Sequence, residues 1–401
     1  MPSKLRLKFF NNLFVNLALL LGAFQVLVWH WWEVAVRGEE SPSGLRIVAA
    51  IALLVAVNAL AFPMMRRFRR RADWRGWTAR IYMNTGIATL LIGVLIAALW
   101  LLFLLPSGLM GLAGASPDLA FGVFRAASVG LVGLLALFLV WGFTGGQARV
   151  QHTQLRAELP GLDPALEGLR MVQISDLHIG NRLEGERLQR MVQRVNDTHA
   201  DVLVITGDVF DFDPAFVEDG MRVLAGLRAR HGVYAILGNH DVYTGRDLVV
   251  DGFRRLAPGI RLLRDESVKL PLPAPLYLAG IEDPGRDWAA RGITLEAMRR
   301  LAAERPSDGP TILLAHRPES FEQAAALGFS LVLAGHTHGG QIALPTRRGQ
   351  WNMARFATPL TRGVFRKGAT TMYVNRGLGV GGPALRFNCP REISTFELHA
   401  S

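Results

Sequence analysis

Seven side chains in the second half of the chain are of the types that hold divalent metal ions, and they are spaced as ligands. The runs Asp176-Leu177-His178, Gly207-Asp208, Gly238-Asn239-His240-Asp241, His316 and Gly335-His336-Thr337-His338-Gly339-Gly340-Gln341 follow in that order, with Asp211 three residues after Asp208. Asp176 and His178 lie two apart, as do His336 and His338. At an extended strand end, residues i and i+2 point to the same side, so each pair can grip one ion. Asp208 and Asn239 each follow an apolar run and a glycine, a sharp transition that suits a bridging carboxylate and a neutral amide oxygen. Asp176, His178, Asp208, Asn239, His316, His336 and His338 are therefore the candidate ligands, enough for two ions. Two divalent cations bring twice the charge that Asp176 and Asp208 return, which leaves a positive surplus for an anion. A purely structural site tends to close and neutralise itself. Two adjacent ions are suited to cleaving phosphate esters, because they stabilise both the attacking and the leaving oxygen. Oxygen and imidazole ligands without thiolate favour Mn²⁺, Fe²⁺, Co²⁺ or Zn²⁺ over Ca²⁺, and Mn²⁺ is the expected ion.

Strand ends must present these residues. Stretches 169–174, 202–206, 233–237, 276–280, 311–315 and 331–334 read as buried strands. Stretches 184–199, 216–228, 246–256, 295–304 and 320–326 read as amphipathic helices. Such alternation argues for an α/β layered fold with a largely parallel central sheet, whose ligands gather beyond the carboxyl ends of the strands. Residues 371–375 and 393–398 add further sheet, and 147–167 read as a linker with a first strand.

The first 150 residues have a different character. Half of the 401 residues are hydrophobic, and four long apolar runs, about 10–32, 45–65, 82–105 and 121–144, each reach the roughly 20 residues that span a bilayer. The first run is too long for a cleaved leader and ends in Trp29-His30-Trp31-Trp32, so it is expected to stay, with the tryptophans as an interfacial anchor. Residues 1–150 hold 14 Lys and Arg against 5 Asp and Glu; residues 151–401 hold 30 against 28. Arg66, Arg67, Arg69, Arg70, Arg71, Arg75 and Arg80 crowd the second connection, which the positive-inside rule puts in the cytoplasm. The chain is thus expected to be a multi-pass protein of a bacterial inner membrane, with its N-terminus and its second half on the cytoplasmic side. The formal charge of +11 is then a signal of topology, and nucleic acid is not the expected partner. Cys389 is the only cysteine, so no intrachain disulfide can form, in keeping with a reducing compartment.

The ordered series D-x-H, GD-x-x-D, GNHD, an isolated His and GHTH resembles the signature of the calcineurin-like metallophosphoesterases over about residues 150–400. GHTHGGQ and Asn375-Arg376-Gly377-Leu378-Gly379 are similar to its membrane-associated branch. The resemblance implies a four-helix transmembrane region (1–145) followed by an αββα-layered catalytic domain (146–401). It implies that Asp176, His178, Asp208 and His338 hold one ion, and that Asp208, Asn239, His316 and His336 hold the other. His240 would assist the leaving oxygen, and Asp211 would orient His240. Protein phosphatases of the superfamily have arginine where Phe212 stands, so phosphodiesters or pyrophosphates are expected instead, with Arg317 or Arg376 as a phosphate clamp. A lipid-linked substrate of the UDP-2,3-diacylglucosamine type is the most specific expectation, although some of those enzymes carry arginine at the place of His240. A nuclease or cyclic-nucleotide phosphodiesterase is a second reading. A third is a membrane sensor or scaffold with a relic metal domain, against which the intact ligand set argues. Residues 346–367, rich in arginine and aromatics, read either as a flap on lipid headgroups or as an ordinary solvated loop.

Overall fold

The run Val202-Leu203-Val204-Ile205-Thr206 buries every side chain, as a strand covered on both faces must. The computed structural model describes residues 19–38, 44–68, 74–112, 117–285, 295–347 and 349–401, in two units that divide between Trp141 and Gly142. In the second unit the strands are, in chain order, β1 (Val150–Leu159), β2 (Arg170–Ile174), β3 (Val202–Thr206), β4 (Val233–Ile236), β5 (Ile260–Leu262), β6 (Glu266–Lys269) and β7 (Tyr277–Gly280). They continue with β8 (Thr311–Leu314), β9 (Leu331–Ala334), β10 (Ala343–Thr346), β11 (Gly349–Asn352), β12 (Gly363–Lys367), β13 (Thr370–Val374) and β14 (Arg391–Ala400).

The alternation of strands and helices argues for one largely parallel central sheet, whereas the layering that the resemblance implies has two, as found. There are two six-stranded sheets, ordered β1-β14-β2-β3-β4-β5 and β12-β13-β9-β8-β7-β6, and a small hairpin β10-β11. Each sheet has a parallel centre and antiparallel pairs: β14 with β2 in one, β6 with β7 and β12 with β13 in the other. Alternating strands and helices look the same whichever sheet a strand joins, so periodicity could not separate them. The core shows how the sheets stack. Met171, Val204 and Ile236 of the first sheet share one cluster with Leu278, Ile312 and Leu333 of the second. The opposite faces pack on helices: Val172, Leu203 and Ile205 on Leu188 and Met191 of the helix Gly185–Asn196, and Leu313 and Val332 on Met298 and Phe321. Neighbouring residues of one strand thus point into different layers, the two-residue period of a pleated strand. Each fully buried Leu or Ile contributes about 1.5–3 kcal/mol to that stacking.

Among the described residues three helices are long and apolar enough to cross a membrane: Leu19–Val36 and Ile81–Phe103 in the first unit, and Phe121–Ala148, whose last residues from Gly142 on belong to the second. The expected second span lies in the helix Gly44–Phe68, whose apolar stretch Gly44–Ala59 is shorter. The expected start of the first span, residues 10–18, lies outside the described residues. The tryptophan trio divides. Trp32 is half exposed, but Trp31 is 5% exposed and its indole N–H donates to Ser128 Oγ at 3.0 Å. Trp31 is therefore a packing residue here, buried with Ala35, Ile96 and Phe124.

Candidate metal centre

Three strand ends in the first sheet and two in the second supply the site. Asp176 and His178 follow β2, Asp208 follows β3, Asn239 and His240 follow β4, His316 follows β8, and His336 and His338 follow β9. The loop after β2 continues the ladder onto the loop after β3: the Asp176, His178 and Ile179 N–H groups donate to the carbonyls of Gly207, Asp208 and Val209. After β4 the helix Asn239–Leu256 begins at once, earlier than expected. Asp241 makes that possible. Its carboxylate accepts from Gly238 N and Phe210 N, both at 2.9 Å, so it ties the helix start to the β3 loop. It supports the backbone around His240 and does not touch the ring.

Five of the seven candidate ligands hold φ in the left-handed region: Asp176 (49°), His178 (45°), Asp208 (52°), His336 (71°) and His338 (51°). For side chains with a Cβ this costs on the order of 1–2 kcal/mol each, and such strain gathers at sites where geometry is held for chemistry. Two glycines let the loops close in. A Cβ on Gly238 would overlap Asp208 Oδ1, and one on Gly335 would overlap Asp176 Oδ2.

Side-chain atoms of these ligands form three overlapping groups, Asp176–His178–His338, His178–Asp208–His240 and Asp208–His316–His336, each within 4.8 Å. Asp208 Oδ2 lies 3.5 Å from His178 Nε2 and 3.2 Å from His316 Nε2, while Oδ1 accepts from His240 N at 2.8 Å. Asp208 thus stands between the two halves of the site, as a bridging ligand must. His338 Nε2 lies 3.6 Å from Asp176 Oδ1, and His316 Nε2 lies 3.2 Å from both Asn239 Oδ1 and His336 Nδ1.

The donor set fits two cations. His316 Nδ1 lies 2.8 Å from Thr206 O and His178 Nδ1 lies 3.1 Å from Asp211 Oδ1. With those N–H groups donating, each Nε2 presents a lone pair, and those lone pairs face carboxylate oxygens and other ring nitrogens. His178 Nε2 and His338 Nε2 face one another at 3.0 Å. Lone pairs converging on anionic oxygen require positive charge between them. Fixing the tautomer through the remote nitrogen is also how proteins prepare imidazole ligands. Buried His338 Nδ1 and Asn239 Nδ2 have no hydrogen-bond partner among the described residues.

The protonation equilibria carry the same signature. Burial alone would raise Asp208, but the His316, His240 and His178 charges hold it well below the usual carboxylate range. Asp176 is raised by burial, with the His316 charge opposing. Burial acts against ionised Asp211, yet hydrogen bonds with His178 and His240 bring it down to about 2. Burial acts against protonated His240 as well, but the Asp208 and Asp211 charges lift it to about 9. Asp211 serves two rings: its Oδ1 also lies 3.2 Å from His240 Nδ1, whose other neighbour is the Asp211 carbonyl at 3.0 Å. Phe212 packs 4.4 Å from the His240 ring, 44% exposed, and is stacked parallel on Tyr243.

The two expected phosphate clamps sit differently. Arg317 is buried, with Nε donating to Asp283 Oδ2 at 2.6 Å; the charges of Tyr243 and Asp208 also act on it. Arg376 Nη2 donates to Glu392 Oε1 at 2.7 Å, and Nη1 to Gln151 at 3.2 Å. Both guanidinium groups are already paired with a carboxylate. Arg386, which the sequence reading passed over, is fully buried and donates to the carbonyls of Arg376, Gly377, Gly379 and Cys389. It thereby holds the 376–389 loop, where Gly377 and Gly381 lie against His338. No local motif marks such a residue.

Stacked sheets with acidic and imidazole side chains gathered at their strand ends form a candidate dimetal site, and comparison with known proteins points to the same class. The model for calcineurin-like phosphoesterases matches residues 169–340. The chain is 32% identical to the "transmembrane protein with metallophosphoesterase domain" of Danio rerio over 71% of its own length and 65% of that relative's. It is 30% identical to a metallophosphoesterase of Bacillus subtilis over 63% of this chain and 85% of that protein. It is 27% identical to a UDP-2,3-diacylglucosamine pyrophosphatase of Chlamydia trachomatis, over 60% and 87% respectively. The chain belongs to the calcineurin-like metallophosphoesterase family, spans just under two thirds of the length of its Danio rerio relative, and has helices long and apolar enough to cross a membrane before its metallophosphoesterase fold.

Proposed function

We propose that this chain is a membrane-anchored two-metal phosphoesterase that hydrolyses a phosphodiester or pyrophosphate bond of a lipid-linked substrate, of the UDP-2,3-diacylglucosamine type. The observation that carries the hydrolytic reading is the Asp208 carboxylate set between the Nε2 atoms of His178 and His316. Asp176, His178, Asp208 and His338 would hold one ion, and Asp208, Asn239, His316 and His336 the other, with Mn²⁺ preferred over Fe²⁺, Co²⁺ or Zn²⁺. Bound there, the ions would supply an activated water and neutralise charge growing on phosphorus. Asp211 fixes the rings of His178 and His240 through their Nδ1 atoms. His240, in its protonated form, would donate to the leaving oxygen. Arg317 or Arg376 would supply a phosphate clamp, each shared with its carboxylate partner.

The membrane assignment rests on the apolar helices and the arginine-rich second connection. It comprises a membrane domain of four spans over 1–145, a catalytic domain over 146–401, and a cytoplasmic site at a bacterial inner membrane. The exposed ring of Phe212, stacked on half-buried Tyr243 beside His240, also suits a nucleobase. That favours a nucleotide-containing substrate and keeps a nuclease or cyclic-nucleotide phosphodiesterase as the second reading. A panel of lipid-linked nucleotide sugars, cyclic nucleotides and soluble diesters, run with Mn²⁺ on wild type, Asp208→Ala and His240→Ala, separates these. The proposal expects cleavage of the lipid-linked pyrophosphate, lost in Asp208→Ala. Turnover of soluble diesters alone supports the second reading. Metal binding without any hydrolysis would return the chain to a scaffold.

A further inference from the structure

We propose that the cavity walled by Phe143, Thr144, Gln147, Arg187, Arg194 and Arg391 binds the phosphate of an anionic phospholipid headgroup. The cavity has a volume of about 480 Å³, and Arg182 and Arg190 also line it. Arg187, Arg190 and Arg194 recur at three- and four-residue spacing on the helix Gly185–Asn196, which puts them on one face. Arg391 opens β14 beside them. Five guanidinium groups therefore share one concavity. Arg190 is paired with Glu186 at 3.1 Å, and Arg182 Nη1 reaches the Phe143 carbonyl at 3.4 Å. Among the described residues, Arg187, Arg194 and Arg391 form no ion pair with a carboxylate.

Among the described residues, two buried donors in the wall lack an acceptor. Gln147 is only 7% exposed; its Oε1 accepts from Arg391 Nη2 at 3.2 Å, and its Nε2 has no partner. Arg391 Nε also has none. Buried donors of this kind are costly to leave unmade, and an anionic oxygen satisfies them. Burial first, and then repulsion from Arg386, Arg187, Arg182 and Arg194, pushes Arg391 down to about 10, as expected where positive charge is gathered without an anion. Guanidinium groups recognise phosphate by paired N–H donors.

The position selects a lipid over a soluble phosphate. Phe143, Thr144, Gln147 and Ala148 lie in the last turns of the apolar helix Phe121–Ala148, and a spanning helix ends at the depth of the headgroups. Basic side chains just beyond a span are drawn to anionic headgroups. The inference does not depend on which substrate the metal centre takes.

The test uses the full chain in detergent, titrated with dioctanoyl phosphatidylglycerol, dioctanoyl phosphatidylcholine or inorganic phosphate. Each is measured on wild type and on Arg187→Gln/Arg194→Gln, in an Asp208→Ala background that disables anion binding at the metal centre. Both arginines are exposed, so the double variant should fold, and hydrolysis of a soluble diester by the same double variant with Asp208 intact should be unchanged. Phosphatidylglycerol should bind saturably, at least about tenfold more weakly after the double substitution, with no saturable binding of the other two. Equal affinity in the variant overturns the proposal. Phosphate binding as tight as phosphatidylglycerol overturns the assignment to lipid.

Discussion

The first unit of this chain exposes large apolar side chains, whereas the second buries charged ones. In the first, Leu45 is 80% exposed, Leu101 66% and Leu134 64%, and charged residues are sparse along the helices. In the second, Asp176, His178 and Arg386 are completely buried and Asp208 nearly so. A soluble fold that exposed so many leucines would aggregate, and a fold that buried so many charges without partners would not form. Each pattern calls for its own surroundings: an apolar medium such as hydrocarbon would suit the first, and hydrogen bonds with compensating positive charge would suit the second. The comparison teaches that exposure alone is no guide to function here; what matters is which solvent a side chain meets.

The strongest way to break the comparison is at the buried charge. Asp208→Ala should lower kcat by more than the roughly 10–100-fold typical of losing an outer partner of a metal ligand, and metal stoichiometry should fall with it. Normal turnover in that variant would end the bridging assignment. Next, Leu134→Asp, near the middle of the helix Phe121–Ala148, should oppose membrane insertion by about 2.5–3.5 kcal/mol. A glycosylation-based insertion assay reads this directly, and unchanged insertion would mean the helix does not span. Arg386→Met removes the donor shared by four backbone carbonyls and should cost about 3 kcal/mol in urea unfolding, since bonds from charged donors are worth about 1.5–3 kcal/mol. The smallest effect is expected at Asp211→Asn. Activity should fall about 10–100-fold with KM little changed, because the ring positions are lost and the ligands remain. A change confined to KM would instead make Asp211 a substrate contact.

Removal of metal sharpens the same contrast. Chelation should abolish turnover and lower the melting temperature of the second unit, since a ligand that binds only the folded state at a hundred times its Kd stabilises by about 2.7 kcal/mol. Re-addition of Mn²⁺ should restore both. A chelated protein with unchanged melting would show that the left-handed ligand loops are held without the ions.

Much of the site was legible because each ligand follows directly on a short apolar strand, so spacing along the chain reports position in space. β3 and β9 have the expected bounds, and the His and Asp groups expected to converge do lie within one cluster. The division into two sheets was implied by the family resemblance and not by the local pattern, since strand pairing is a long-range choice that periodicity does not encode. Asp241 ties the start of its helix to Phe210 N, 31 residues away, a partner that no local spacing marks. Arg317 and Arg376 looked like unspent cations until Asp283 and Glu392, distant in sequence, were brought beside them.

The amino-acid sequence by itself determined the chemistry: residue types with metal-binding donors at strand ends, a surplus of positive charge early in the chain, and apolar runs long enough to span a bilayer. Those are properties of single residues and short intervals, which physics reads locally. Only the tertiary structure decided which charges are spent and which remain. Arg386 is consumed by carbonyls, Arg317 and Arg376 by carboxylates, whereas Arg187, Arg194 and Arg391 are brought around one cavity without a counter-charge. The reason is that a charge's worth depends on distance and burial, and both are set by contacts between residues hundreds of positions apart, such as Gln147 and Arg391.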